Sequence, residues 1–138
     1  MLPSVEVREY MQTDPPRVSP DEDLFAAVRL MVRERLSGVC VVDEAGRLVG
    51  VLSELDCLRA ILAARYENRG SVGKVCDFMT TEVITASPRD DIVDVAADML
   101  KNRHRRRPVV EEGRLVGQIT CRRLLRAVTE FAAPSGEA

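Results

Sequence analysis

Apolar residues fall at Leu24, Ala27, Val28, Met31 and Val32, in steps of three and four that predict an amphipathic helix burying this face. Ser19-Pro20-Asp21 just upstream reads as its start, with a hydroxyl cap, proline at the first helical position and an acid near the positive end of the dipole. Downstream the period changes. Val39-Cys40-Val41-Val42 and Leu48-Val49-Gly50-Val51-Leu52, separated by a turn at Asp43 to Gly46, predict a hairpin of two short strands covered on both sides. Ser53 then caps a second helix from Glu54, with Leu55, Leu58, Ile61 and Leu62 expected inward.

The same pattern recurs. Ile92, Val95, Ala96, Met99 and Leu100 repeat the first helix, and Thr120 caps a last helix whose expected face is Cys121, Leu124, Leu125 and Val128. Identities run through both copies: Val7/Val75, Met11/Met79, Pro20/Pro88, Met31/Met99, Arg35/Arg103 and Arg59/Arg126, besides an intact Gly-Arg-Leu-Val-Gly at 46–50 and 113–117. A shared helical period arises easily, but a Ser-Pro turn and a glycine-flanked loop at matching distances indicate duplication. The predicted class is α/β (α+β), with two β-α-β-β-α repeats at 1–66 and 75–130, a linker at 67–74 and a frayed tail at 131–138. Short lead-in strands are expected near 15–18 and 82–86.

At 138 residues and 46% hydrophobic, the chain suffices for one core or two mutually supporting ones. The net charge of -2 steers it toward neither nucleic acid nor an anionic membrane. Cys40, Cys57, Cys76 and Cys121 form no CxxC pair and sit in apolar segments, as buried thiols of a reducing compartment do. No stretch reaches the ~18 apolar residues of a membrane span, and the first residues lack a signal-peptide core, so a cytoplasmic location is expected.

Gly50-Val51-Leu52-Ser53-Glu54-Leu55-Asp56, after a Met-Thr lead-in and a Ser-Pro turn, resembles the cystathionine-beta-synthase (CBS) domain, and the tandem resembles the Bateman module over about residues 5 to 130. The resemblance implies a pseudo-two-fold pair with two clefts for adenosine nucleotides or related adenosyl ligands. It further implies that Asp56 holds the ribose hydroxyls with help from Ser53, while Thr81 and Thr85 of the other repeat's lead-in and Arg105, Arg106 and Arg107 frame base and phosphates. A carboxylate accepts from both cis-hydroxyls of a ribose, and guanidinium forks suit polyphosphate. Asp56 also reads simply as an acid in a helix's first turn.

The second copy departs from the motif. Its Gly117-Gln118-Ile119-Thr120-Cys121-Arg122-Arg123 puts Arg123 where Asp56 stands, and a side chain with donors only does not accept from a hydroxyl. The run Arg103-His104-Arg105-Arg106-Arg107 answers the nearly uncharged Arg35-Leu36-Ser37-Gly38-Val39, so one working cleft and one impaired or repurposed cleft are expected. That run admits three readings: phosphate contact, a solvated face, or nucleic-acid contact, the last without the interleaved aromatics that serve single-strand binders. His104 is the lone histidine, without cysteines at ligand spacing, and neither a metal site nor a catalytic constellation is read. The expected function is a regulatory sensor, not an enzyme, with an adenine nucleotide or adenosyl compound as regulatory ligand and no obligatory cofactor. The resemblance further implies a homodimer joined through helices; an unidentified regulated protein is the other expected partner, and a ligand-free interaction scaffold is the alternative.

Overall fold

The computed structural model describes residues 5–66 and 72–131. The linker expected at 67–74 lies outside these except for Val72, Gly73 and Lys74, and the tail at 131–138 lies outside except for the helical backbone of Phe131. After a 3-10 turn at Val7–Glu9 come β1 (Gln12–Thr13), β2 (Arg17–Val18), α1 (Leu24–Glu34), β3 (Gly38–Val42), β4 (Leu48–Ser53) and α2 (Glu54–Tyr66). Then follow α3 (Val75–Phe78), α4 (Ile92–Asn102), β5 (Arg106–Glu111), β6 (Arg114–Thr120) and α5 (Cys121–Phe131). Both hairpins form as expected, β3 antiparallel to β4 and β5 antiparallel to β6. The lead-in of the first repeat is β2, parallel to β3, whereas that of the second shrinks to a single bridge between Ala86 and Val109.

The chain divides into two compact units, Pro16–Val83 and Met1–Pro15 with Ile84–Ala138. Their boundaries cut across the sequence repeats, because each repeat's first segment packs in the unit built on the other repeat's hairpin. β1 pairs with β6, and Thr80 bridges Val51 on β4. Val7 is fully buried in a core with Met99, Val109 and Ile119, and Val75 is fully buried with Leu24, Val41 and Leu52. The repeated Val7/Val75 is thus a core residue donated in each direction.

This exchange explains why the Ser-Pro turns do not start helices. Pro20 and Glu22 present their carbonyls to the N–H groups of Cys76 and Val75, as Pro88 and Asp90 do to Arg8 and Val7. The helices begin later, after Asp23 and Asp91, of which only Asp91 accepts a capping bond, from the Val93 N–H, and their first N–H groups, on Leu24 and Ile92, donate to the carbonyls of Gly73 and Val5. Donors left over at a helix start need partners, and the exchanged backbone supplies them.

The glycine-flanked run has two distinct causes. Gly46 and Gly113 sit at φ 84° and 82° in the hairpin turns, a region costly for a residue with a Cβ. Gly50 and Gly117 lie beneath the exchanged segments, where a Cβ would stand 2.9 Å from the carbonyl oxygen of Thr80 or of Gln12. The first glycine turns the chain and the last lets another strand lie across it.

Three burial expectations need correction. Val32 and Leu100 point outward, as do Leu55, Leu58, Ile61 and Leu62, while α2 buries Asp56, Cys57, Ala60 and Ala64. In α5 the buried residue is Ala127, with Cys121, Leu125 and Val128 exposed. The periodicity was right, but each helix carries more apolar surface than its own hairpin covers, and close approach to the sheet selects the small residues for the inner face. Of the cysteines, Cys40 and Cys57 are buried, whereas Cys76 and Cys121 are exposed thiols at helix starts.

Candidate functional site

The start of α2 brings together the residues singled out by the motif. Ser53 Oγ accepts from the Asp56 N–H at 3.1 Å, and Asp56 Oδ2 accepts from the Ser53 N–H at 2.9 Å. This reciprocal pair is a capping box, so the Ser-x-x-Asp spacing stabilises the helix start by about 1 kcal/mol whatever else it does. It also fixes the carboxylate. Asp56 is 6% exposed.

A third partner comes from the exchanged segment. Thr80 Oγ1 donates to Asp56 Oδ2 over a long 3.4 Å, and its backbone is pinned by two bonds to Val51, 2.8 and 2.9 Å. The remaining oxygen, Oδ1, faces Arg59 one turn further along α2, with Nη1 at 3.0 Å and a side chain 71% exposed. Oδ2 is therefore committed to the fold, while Oδ1 is held only by a solvated guanidinium among the described residues. Next to the acid, the Cys57 thiol is pushed above its ordinary value, first by burial and then by the negative charges of Asp56 and Glu54.

The other unit shows what happens without the acid. Thr120 Oγ1 caps the Arg123 N–H at 3.1 Å as Ser53 caps Asp56, but the Arg123 side chain reaches the exchanged segment instead. Its Nη1 makes long hydrogen bonds to the carbonyls of Tyr10 and Met11, at 3.4 and 3.5 Å. The cation ties the lead-in down by its backbone.

The remaining residues expected at the site are distributed as follows. Thr81 is exposed beside Thr80, and it is Thr80 that meets Asp56. Thr85 and Arg107 line a depression of about 280 Å³ with Asp90, Asp91, Asp94 and Asp98, in the unit that holds Arg123. Arg107 is 3% exposed, its Nη1 2.7 Å from Asp98 Oδ2 and its Nη2 3.2 Å from His104 Nδ1. Arg105 is exposed and Arg106 half-buried, while Arg103 is the left-handed residue ending α4, at φ 58°. The arginine run is thus not one face: a cap, a surface cation and a buried ion pair follow one another.

Sequence reasoning missed Thr80, Arg59 and Asp98. Arg59 had a signal, since it lies one turn beyond Asp56 and recurs as Arg126; Thr80 and Asp98 had none, because only folding brings them to their partners. Among the described residues no three His, Cys, Asp or Glu are grouped to hold a metal ion, and no helix is long and apolar enough to cross a membrane.

A duplicated helix-hairpin-helix unit with exchanged lead-ins, and a capped Ser-x-x-Asp at the start of one second helix, define a tandem α+β module. The CBS domain model matches residues 7–63 and 75–130, and the chain belongs to that family as a tandem pair. An uncharacterised protein of Methanocaldococcus jannaschii is 35% identical over 114 residues, covering 83% of this chain but only 39% of the relative's length. The fold is that of solved CBS pairs. CBSX2 of Arabidopsis thaliana, solved with AMP, superposes with a TM-score of 0.84 at 26% identity, covering 94% of this chain and 99% of the other. The CBS pair of the protein MJ0100, solved with 5-methylthioadenosine and S-adenosylmethionine, gives 0.76 at 25% identity, covering 94% and 99%.

Proposed function

We propose that this protein is a regulatory module whose ligand is an adenosine-containing compound, held by its ribose at Asp56. One observation carries the proposal: a buried carboxylate, fixed through Oδ2 by Ser53 and Thr80, turns Oδ1 toward a solvated partner that a ligand can replace. The relatives solved with AMP and with S-adenosylmethionine support the ligand class. Exposed Thr81, in the same unit as Asp56, is the proposed further contact to the ligand. A partner that prefers the liganded form responds by population shift, and no catalytic step is involved.

A homodimer belongs to the same proposal. In the unit that holds Asp56, α1 and α2 flank a groove of about 410 Å³ lined by Val28, Met31, Val32, Leu36, Leu55, Leu58 and Ile61, and apolar surface of this kind favours burial against another chain. These exposed faces also support the second reading, an interaction scaffold that works without ligand.

Thermal unfolding with AMP, ADP, ATP, NAD and S-adenosylmethionine separates the two. A ligand at about 100 times its Kd adds roughly 2.7 kcal/mol, a rise of roughly 5 °C or more for a chain of this size. Stabilisation lost in Asp56→Ala supports sensing. No shift with any of the five leaves the scaffold standing and ends the sensor reading.

A further inference from the structure

The proposed ribose carboxylate is not vacant: a cation from its own helix sits on the oxygen the ligand needs. We infer that Arg59 is a built-in competitor for that ligand, a latch that must be released from Asp56 before a ribose hydroxyl takes Oδ1. The inference rests on the sensor reading and adds to it a residue that sets affinity.

Three observations carry it. The two oxygens of Asp56 are unequal, since Oδ2 receives the Ser53 N–H and the Thr80 hydroxyl while Oδ1 receives Arg59 Nη1 at 3.0 Å. The two partners are also unequal, for the side chain of Asp56 is 8% exposed and that of Arg59 is 71% exposed. The fixed member of the pair is the acid and the movable one is the cation. Finally, the second repeat has the same arginine without its target: Arg126 stands one turn beyond Arg123, a like charge, and is exposed. An arginine at this helical position therefore becomes a latch only where the preceding turn supplies a carboxylate.

The strength of such a pair suits release. An ion pair whose cation is solvated, between side chains three apart on a helix, is weak and is screened by salt. Displacing Arg59 therefore reduces ligand affinity by only a small factor, about two- to five-fold, and the reduction shrinks as ionic strength rises. This salt dependence distinguishes a latch from a residue that contacts the ligand. For an uncharged nucleoside no attraction to protein charges is screened, so salt acts through the latch.

The test is calorimetric titration of the full chain with adenosine, for the wild type, Arg59→Ala and Arg59→Gln, at low salt and at about 0.3 M salt, where the Debye length falls to roughly 5–6 Å. Both variants are expected to bind adenosine about two- to five-fold more tightly than wild type at low salt. The gap is expected to narrow at high salt because the wild type improves. Equal affinities, or a gap indifferent to salt, overturn the latch while leaving the sensor reading intact. Weaker binding by the variants also overturns it, making Arg59 a ligand contact. Binding of adenosine by neither the wild type nor the variants overturns the latch and leaves the sensor reading to the five-compound panel, whereas binding by the variants alone supports the latch in its strongest form.

Discussion

The starts of α2 and α5 are two versions of one structure. Each follows the second strand of a hairpin, each opens with a hydroxyl that caps the N–H three residues on, and each lies under a segment exchanged from the other repeat. The consequential difference lies three residues on from the cap. Asp56 receives donors from Ser53, Thr80 and Arg59, while Arg123 donates to the carbonyls of Tyr10 and Met11. A carboxylate at this position gathers donors and leaves one oxygen to a solvated partner; a guanidinium donates to the exchanged backbone instead. The fold tolerates either sign because it requires only that the lead-in be held.

The largest change expected from breaking this difference comes from Arg123→Asp. Capped by Thr120, the new acid would recreate the Asp56 arrangement, and calorimetry is expected to show twice the ligand bound per chain. An unchanged stoichiometry would mean that the second repeat lacks more than the acid. Gly50→Ala and Gly117→Ala come next. Each drives a Cβ toward the carbonyl of the exchanged segment, and each is expected to destabilise by about 1–3 kcal/mol in urea titrations, as overpacking does. Equal losses show that both exchanges hold their units alike, and a loss in one alone breaks the equivalence.

Ser53→Ala and Thr120→Ala remove matching caps, at about 1 kcal/mol each. Only the first is expected to weaken ligand binding as well, because only there does the cap orient a carboxylate. The smallest effect concerns Cys57, whose counterpart is Leu124. Its thiol keeps its proton more tightly in the folded chain than in the unfolded one, so the stabilisation is complete at neutral pH. It is lost as pH rises beyond the ordinary thiol range toward the higher folded value. Compared with Cys57→Ala, the wild type is expected to lose stability more steeply in alkaline urea titrations; parallel curves would contradict the shift.

Much of this was legible in the chain. Two helices and a hairpin per repeat followed from periods of three to four and from short apolar runs, and the Asp56/Arg123 difference was visible on aligning the copies. The inner faces of α2 and α5 were not. Leu55, Leu58 and Leu125 match an inward period as well as Ala60 and Ala127 do, and only the closeness of helix to sheet decides that the small residues go in. Nor does the start of α1 follow from Ser19-Pro20, since the carbonyls of that turn serve a segment more than fifty residues away.

The sequence by itself determined the duplication, the elements of each repeat and the replacement of Asp56 by Arg123 in the second copy, because these depend on local period and residue type. The tertiary structure decided which segment belongs to which unit. It did so through long-range backbone bonds, the burial of Val7 and Val75, and the space above Gly50 and Gly117. From that exchange come Thr80 on the carboxylate of Asp56 and the carbonyls under Arg123, partners that no local pattern encodes.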